Sequence, residues 1–340
     1  MASRSTIAPA RSATDVQSGV PATQVGLSRV GVTGVEKVIR VNADGEENLY
    51  HANFECFVDL EPRQAGVHMS RFEEIVGEAI DEVVLGEAFR AEVLAAHIAQ
   101  RVRERQGGLR AEVLVEARYP ETVKTPESGI STQEIYGLYG TAVSSEQGNR
   151  TVTGVQAQGM TACPCAQEMV AELGRENLAA AGFDAEQVER AIEAVPIATH
   201  NQRGIGTLYI GCPEGGPSWI DAPELARLVE SSMSSEIYEL MKRPDELAVV
   251  AKAHAQPRFV EDCVREMIRL VVEGYPDLPA DAFVMARQEN LETIHRHNVV
   301  AERYGTLGEL REELTSGEHQ ARHTTMREWL ELPATADPAI

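Results

Sequence analysis

Thiols, imidazoles and carboxylates are grouped in this sequence in ways that could do chemistry. Thr161-Ala162-Cys163-Pro164-Cys165 puts two thiols one residue apart at the end of a predicted strand. Thiolates are soft ligands for zinc or iron. The intervening residue points the two apart, so one small ion rarely takes both. A pair of buried or redox-sensitive thiols fits this string equally well. Ala198-Thr199-His200-Asn201-Gln202-Arg203 precedes another predicted strand. Its polar run suits an anion contact, as does any loop, and a lone histidine is often a satisfied core or surface residue. If the two strands pair, the hairpin brings Cys163 and His200 together. In Arg243-Pro244-Asp245-Glu246, Pro244 is expected to end a helix near Arg243 and to expose Glu246 in the loop that follows.

Three further strings carry candidates. In Gln288-Glu289-Asn290-Leu291-Glu292-Thr293-Ile294-His295-Arg296-His297, Glu292 and His295 could form a general acid–base pair. His295 and His297 stand at i, i+2, the spacing that shares one face of an extended segment. Glu261 lies in Phe259-Val260-Glu261-Asp262-Cys263, inside a predicted helix. A carboxylate there is usually solvated, but a buried one could accept hydrogen bonds from the ring N–H and amino group of a guanine. Gly66-Val67-His68-Met69-Ser70-Arg71 sits at a helix start, where free backbone N–H groups and Arg71 could hold phosphate. An ordinary cap reads the same way.

The elements that must position these residues follow from periodicity. Residues 25–60 read as a long antiparallel hairpin, with a turn at Ala43-Asp44-Gly45-Glu46. Ser70 is placed as an N-cap, and Phe72, Ile75, Val76, Ala79, Ile80 and Val83 make an amphipathic stripe behind it. A second helix is predicted over 87–106, then strands over 109–118 and 132–145. The first half is β-β-α-α-β-β. The second half repeats that order: strands at 151–160 and 204–211, helices at 222–241 and 257–273, and a strand near 282–288. A helical insert, 166–195, separates its first two strands, and a charged helix is predicted over 307–331. The expected division is a flexible tail (1–24), a first unit (25–150), a second unit (151–305) and a helical tail (306–340).

Composition narrows the function classes. The chain has 340 residues, 43% apolar and 25% charged, which suits a globular protein with a full core. Its net charge of −22 repels phosphate backbones and anionic membranes, which argues against nucleic-acid or membrane partners. An anionic substrate would need local arginines and histidines. Five cysteines without framework spacing, no apolar leader and no apolar span give a cytoplasmic expectation.

The strings GVHMSRF (66–72), TACPCAQE (161–168), THNQRG (199–204), MKRPDE (241–246), PRFVEDCVR (257–265) and ENLETIHRH (289–297) together resemble the type IB GTP cyclohydrolase family, over about residues 25–304. The resemblance implies an α+β tunnelling fold, with two antiparallel β-β-α-α-β-β units in one chain. It implies a homotetramer with sites at subunit interfaces. It implies a divalent metal, Fe(II) or Zn/Mn, on Cys163, His200 and Glu246, and Glu261 as the anchor of the purine base. Glu292 and His295 match the acid–base positions, and Cys165 a second thiol near the reaction. Arg71, Arg203 and His297 are assigned to the rest of the GTP. The implied activity is that of a hydrolase acting on a cyclic amidine, which expels C8 of GTP as formate. The insert resembles the archaeal, methanopterin-type subgroup, whose product is 7,8-dihydroneopterin 2′,3′-cyclic phosphate. Folate-type members make the triphosphate. Two rivals stand beside this: a non-catalytic metal or thiol redox protein, and another tunnelling-fold enzyme acting on a pterin or deazapurine.

Overall fold

A computed structural model describes residues 17–43, 46–83, 90–213, 220–318 and 321–332. It is a mixed α/β protein built on one antiparallel sheet. Strands β1 (Leu27–Ala43) and β2 (Glu46–Leu60) form a long hairpin, with Val38 facing His51 and Ala43 facing Glu46. The expected turn residues Asp44 and Gly45 lie outside the described residues. A bulge between Val32 and Val35 is made by Gly34 at φ 68°, a backbone conformation that costs glycine least. Helices α1 (Met69–Val83) and α2 (Ala91–Gln106) follow, then β3 (Arg110–Lys124) and β4 (Ser131–Ser145). Ser70 lies inside α1 rather than capping it, and residues 87–89, expected to open α2, are outside the described residues.

A tight turn leads from β4 into β5 (Gly148–Ala162), so the sheet continues without a break past residue 150. Next come the insert helices α3 (Pro164–Ala180) and α4 (Ala185–Ala194), then β6 (Asn201–Pro213), α5 (Ala222–Ser231) and the two-residue β7 (Ser235–Glu236). Helices α6 (Arg243–Ala255) and α7 (Val260–Gly274), strands β8 (Phe283–Leu291) and β9 (Val299–Thr306), and helices α8 (Leu307–Ser316) and α9 (Met326–Leu330) complete the order. The sheet runs β1-β2-β3-β4-β5-β6-β8-β9, with β7 paired to β5.

Strand alternation sorts the side chains between the two faces. Phe54, Cys56, Val113, Leu138, Val155, Leu208, Val284 and Ala286 point into the main core, which also holds Ile75, Leu94, Ile98, Leu225, Met267 and Val271 of the helices. On the other face a smaller cluster joins Val143, Val152, Phe283, Trp329 and Leu330. Even-numbered residues of β6 and β8 therefore face the helices.

Three helix expectations are corrected. The helix expected over 222–241 stops at Ser231, because Ser232 turns its hydroxyl back onto Val229 O at 2.6 Å and the chain leaves to pair as β7. Pro244 does not end a helix; it stands in the first turn of α6, where its missing N–H costs nothing. The single helix expected over 307–331 is two, broken by Gly317 at φ 69°. Strand β9 was not foreseen, since its sequence VVAERYGT mixes charge into a short run.

Candidate active site

Strand β5 ends at Ala162 and β6 begins at Asn201, cross-strand neighbours. The insert leaves and returns between them, so Cys163 and His200 stay together. Cys163 N–H donates to His200 O at 3.1 Å, and Thr199 Oγ1 donates to Cys163 O at 2.7 Å. Cys163 is also the N-cap of α3. Its Sγ accepts from Ala166 N–H at 3.4 Å, at the helix end where negative charge is stabilised. Pro164 opens the helix and leaves Cys165 exposed, outside the site.

A cavity of about 490 Å³ lies at this end of β5, β6 and β8. Cys163, His200, Gln202, Arg258, Phe259, Glu261, Asn290, Glu292, His295 and His297 line it. A larger cavity of about 840 Å³, beside Arg29, Asp59, Arg110 and α9, has no cysteine or histidine in its wall. Glu292, His295 and His297 come from the loop between β8 and β9, which Thr293 Oγ1 ties to Asn201 O at 3.2 Å. The Glu292 side chain is 8% exposed; its Oε2 has no hydrogen-bond partner and lies 3.9 Å from His200 Nδ1. The His295 and His297 rings stack with centroids 5.2 Å apart. Glu261 stands in the first turn of α7, exposed at the cavity edge.

Other expected residues are not in this cavity. Arg203 is exposed, and alternation along β6 turns it to the face opposite His200, Gln202 and Gly204. Arg71 is on α1, where Nη1 donates to Arg105 O at 3.3 Å. Glu246 is exposed on α6. His254, eight residues further on and about 12 Å of helix rise away, is the α6 residue that meets the start of α3, its carbonyl accepting from Gln167 Nε2 at 2.8 Å. The neighbour Asp245 is the buried carboxylate of that string. Burial by itself would raise its pKa. Hydrogen bonds from Ser128 Oγ and from the N–H groups of Ser128, Lys242 and Glu127 outweigh that and hold the carboxyl well below the usual range.

A divalent metal needs several soft or borderline donors grouped in one place. Cys163 and His200 fit, a thiol and an imidazole side by side on one hairpin. The third expected ligand is not with them: among the described residues, no three His, Cys, Asp or Glu are grouped to hold a metal ion. The remaining cysteines are core residues. Burial pushes the thiols of Cys56 and Cys263 up to about 12 and that of Cys212 up to about 11, which keeps them protonated and inert.

Several cavity residues were not singled out from the sequence. Gln202 is 5% exposed; Nδ1 of His200 lies 2.9 Å from its Oε1, and its Nε2 donates to Thr161 Oγ1 at 2.9 Å. Asn290 is 2% exposed and accepts from Gln288 Nε2 at 3.0 Å. Both amides lie across β6 at Gly204, where a Cβ would meet Gln288 Nε2 at 2.4 Å and Asn290 Oδ1 at 3.3 Å. Arg258 clamps the end of α5 through Ser232 O at 2.6 Å. The i, i+2 spacing of His200 and Gln202 on a strand was the available signal for Gln202.

The comparisons with known proteins decide the family. The family model described as type I GTP cyclohydrolase folE2 matches residues 13–301. The chain belongs to that family. It is 42% identical over 307 residues to GTP cyclohydrolase MptA of Methanococcus aeolicus, covering 88% of this chain and 99% of that one. It is 42% identical over 306 residues to the MptA of Methanothermobacter thermautotrophicus, covering 88% and 95%. With the MptA of Methanocaldococcus jannaschii it shares 39% over 310 residues, covering 89% and 98%. Among solved structures, uricase from Arthrobacter globiformis aligns with a TM-score of 0.49 at 9% identity, over 83% of this chain and 94% of that one. Among the described residues, no helix is long and apolar enough to cross a membrane.

Proposed function

We propose that this chain is a metal-dependent GTP cyclohydrolase of type IB, hydrolysing GTP at C8 with release of formate to give a 7,8-dihydroneopterin phosphate for pterin synthesis. The observation that carries this reading is one cavity lined by Cys163, His200, Glu261, Glu292 and His295, in a member of the folE2 family whose relatives are named GTP cyclohydrolases. The twofold β-β-α-α-β-β order, interrupted by α3–α4 and extended by β7 and α6, supports the tunnelling fold. The insert and the MptA relatives are the reason for preferring the methanopterin-type product, the cyclic phosphate; the ion proposed is Fe(II) or Zn/Mn.

The residues divide the work by chemistry. Glu261, at the first turn of α7, accepts from the guanine N1–H and amino group. A divalent ion on Cys163 and His200 would supply the Lewis acidity that makes water nucleophilic near neutral pH. Glu292, nearly buried and with a free Oε2, accepts the proton of the water that adds to C8. His295 donates a proton to the purine nitrogen that leaves C8. A second water then releases C8 as formate. The stacked His295 and His297 also bring imidazole hydrogen-bonding groups to the cavity of an otherwise acidic protein facing a triphosphate. Arg71 and Arg203 do not reach this cavity within one chain.

The same reading calls for a homo-oligomer, expected to be a tetramer. Glu246 is exposed and does not line the cavity, and Leu247 and Val250 beside it are exposed apolar residues, as are Met169 and Leu173 on the insert and Ile294 and Val300 by the cavity. Exposed apolar residues of this kind suit a contact between copies, and a second copy is the source this reading gives for the third metal ligand. The test is anaerobic incubation with GTP and Fe(II), Mn(II) or Zn(II) in turn, assaying formate and weighing the pterin. Formate is expected with at least one metal, and a cyclic phosphate with the MptA-like assignment. No formate with any metal, at low and high salt, would overturn the activity.

A further inference from the structure

Behind His200 lies a hydrogen-bonded chain that runs through Gln202 to Thr161. His200 Nδ1 is 2.9 Å from Gln202 Oε1, and Gln202 Nε2 donates to Thr161 Oγ1 at 2.9 Å. Thr161 is fully buried and Gln202 is 5% exposed, so the bond between them is shielded from water. The three residues are held in register by the β5–β6 ladder, where Thr161 pairs with Gln202. A second group acts on the same nitrogen: Glu292 Oε2, buried and without a hydrogen-bond partner, is 3.9 Å from Nδ1. A carboxylate oxygen at that distance favours a hydrogen on Nδ1 and disfavours a lone pair there.

We infer that Gln202 is a positioning residue that holds His200 in the Nδ1–H tautomer, leaving Nε2 as the lone-pair nitrogen for a metal. An imidazole is a ligand only through its unprotonated nitrogen, and the hydrogen bond made by the other nitrogen sets both tautomer and ring direction. The role in metal affinity rests on the function proposed above; the tautomer does not. Thr161 completes the chain: its hydroxyl accepts from Gln202 Nε2 while Oε1 lies toward the imidazole.

The experiment uses the whole protein, labelled with 15N-histidine and free of metal, with Gln202→Met and Gln202→Glu beside the wild type. Methionine keeps the shape and removes the strong acceptor. Glutamate keeps the acceptor, and the Thr161 hydroxyl can rotate to donate to it. In the wild type, long-range 15N–1H correlation is expected to show His200 protonated on Nδ1. Zn(II) affinity, from chelator competition, is expected to fall about 10–100-fold in Gln202→Met and to be restored to within about threefold by Gln202→Glu. A wild-type His200 protonated on Nε2 would overturn the inference, whether or not the variants fold. So would a folded Gln202→Met that keeps both tautomer and affinity. A wild type that binds no Zn(II), yet shows Nδ1–H that Gln202→Met loses, supports the positioning role and removes the metal reading instead.

Discussion

Gly204 ends the string THNQRG, and the structure gives it a spatial reason. A Cβ at this position would meet Gln288 Nε2 at 2.4 Å, Met233 Sδ at 2.9 Å and Asn290 Oδ1 at 3.3 Å. Ordinary contact begins at 3.4 Å, so the Gln288 amide would have to retreat by about 1 Å. It cannot do so freely, because Gln288 is fully buried and its Nε2 is bonded to Asn290. Overpacking of this kind costs about 1–3 kcal/mol. At an unfolding entropy of about 2 cal/mol/K per residue, Gly204→Ala should lower Tm by roughly 1–4 °C in this chain. Asn290 lines the cavity, so the same shift should lower kcat/KM for GTP about tenfold or more, the penalty of a misplaced site. Gly77 is the control. It lies inside α1 with nothing within 4 Å of its added Cβ, so Gly77→Ala should stabilise by about 0.5–1 kcal/mol through helix propensity. Scanning calorimetry and steady-state kinetics on both variants decide the matter. A Gly204→Ala protein with unchanged Tm and unchanged kinetics would falsify the account of the amides across β6.

Glu261→Gln should raise KM for GTP and cut kcat/KM by about 30- to 1,000-fold, the loss of a charged acceptor worth roughly 2–4 kcal/mol, with Tm unchanged; undiminished use of GTP would remove Glu261 from purine recognition. Glu230 gives a pH signature. Burial is the main cause that pushes its carboxyl up from 4.5 to about 7; the acidic neighbours Glu236, Glu134 and Glu121 add to this, and the Tyr136 hydroxyl opposes it. A raised folded pKa means that the folded state holds the proton longer, so stability is greatest below about 4.5 and falls as pH rises through about 7. Glu230→Gln should therefore be the more stable protein above pH 7, by about 3 kcal/mol, and Tm curves that stay parallel from acid to pH 8 would count against it. Trp329→Ala should destabilise by about 3 kcal/mol, since the indole is fully buried, donates to Asp281 O at 2.7 Å and lies under the Arg150 guanidinium at 4.5 Å; protease sensitivity of residues 321–332 is the check, and a resistant variant would contradict it.

Much of this protein was legible in its sequence because the signals were local and periodic. The stripe from Phe72 to Ile80 made α1, and the alternation through Phe54, Cys56 and Val58 made β2. The strings around Cys163, His200, Glu261 and Glu292 named the family. Where local rules were ambiguous, tertiary structure chose. Pro244 can close a helix or open one; the buried Asp245, held by Ser128 and Lys242, made it open α6. The 36 residues between Cys163 and His200 say nothing about their separation, but the β5–β6 ladder closes it to one hydrogen bond. Arg203 has the charge for a phosphate, yet the two-residue period of β6 turns it away from the cavity. Glu246 belongs to the expected ligand set by string, yet it is exposed on α6 and is not among the residues lining the cavity. Residue type and spacing thus set the chemistry on offer. Which groups meet depended on strand parity, helix direction and burial, properties of the packed chain that no short string contains.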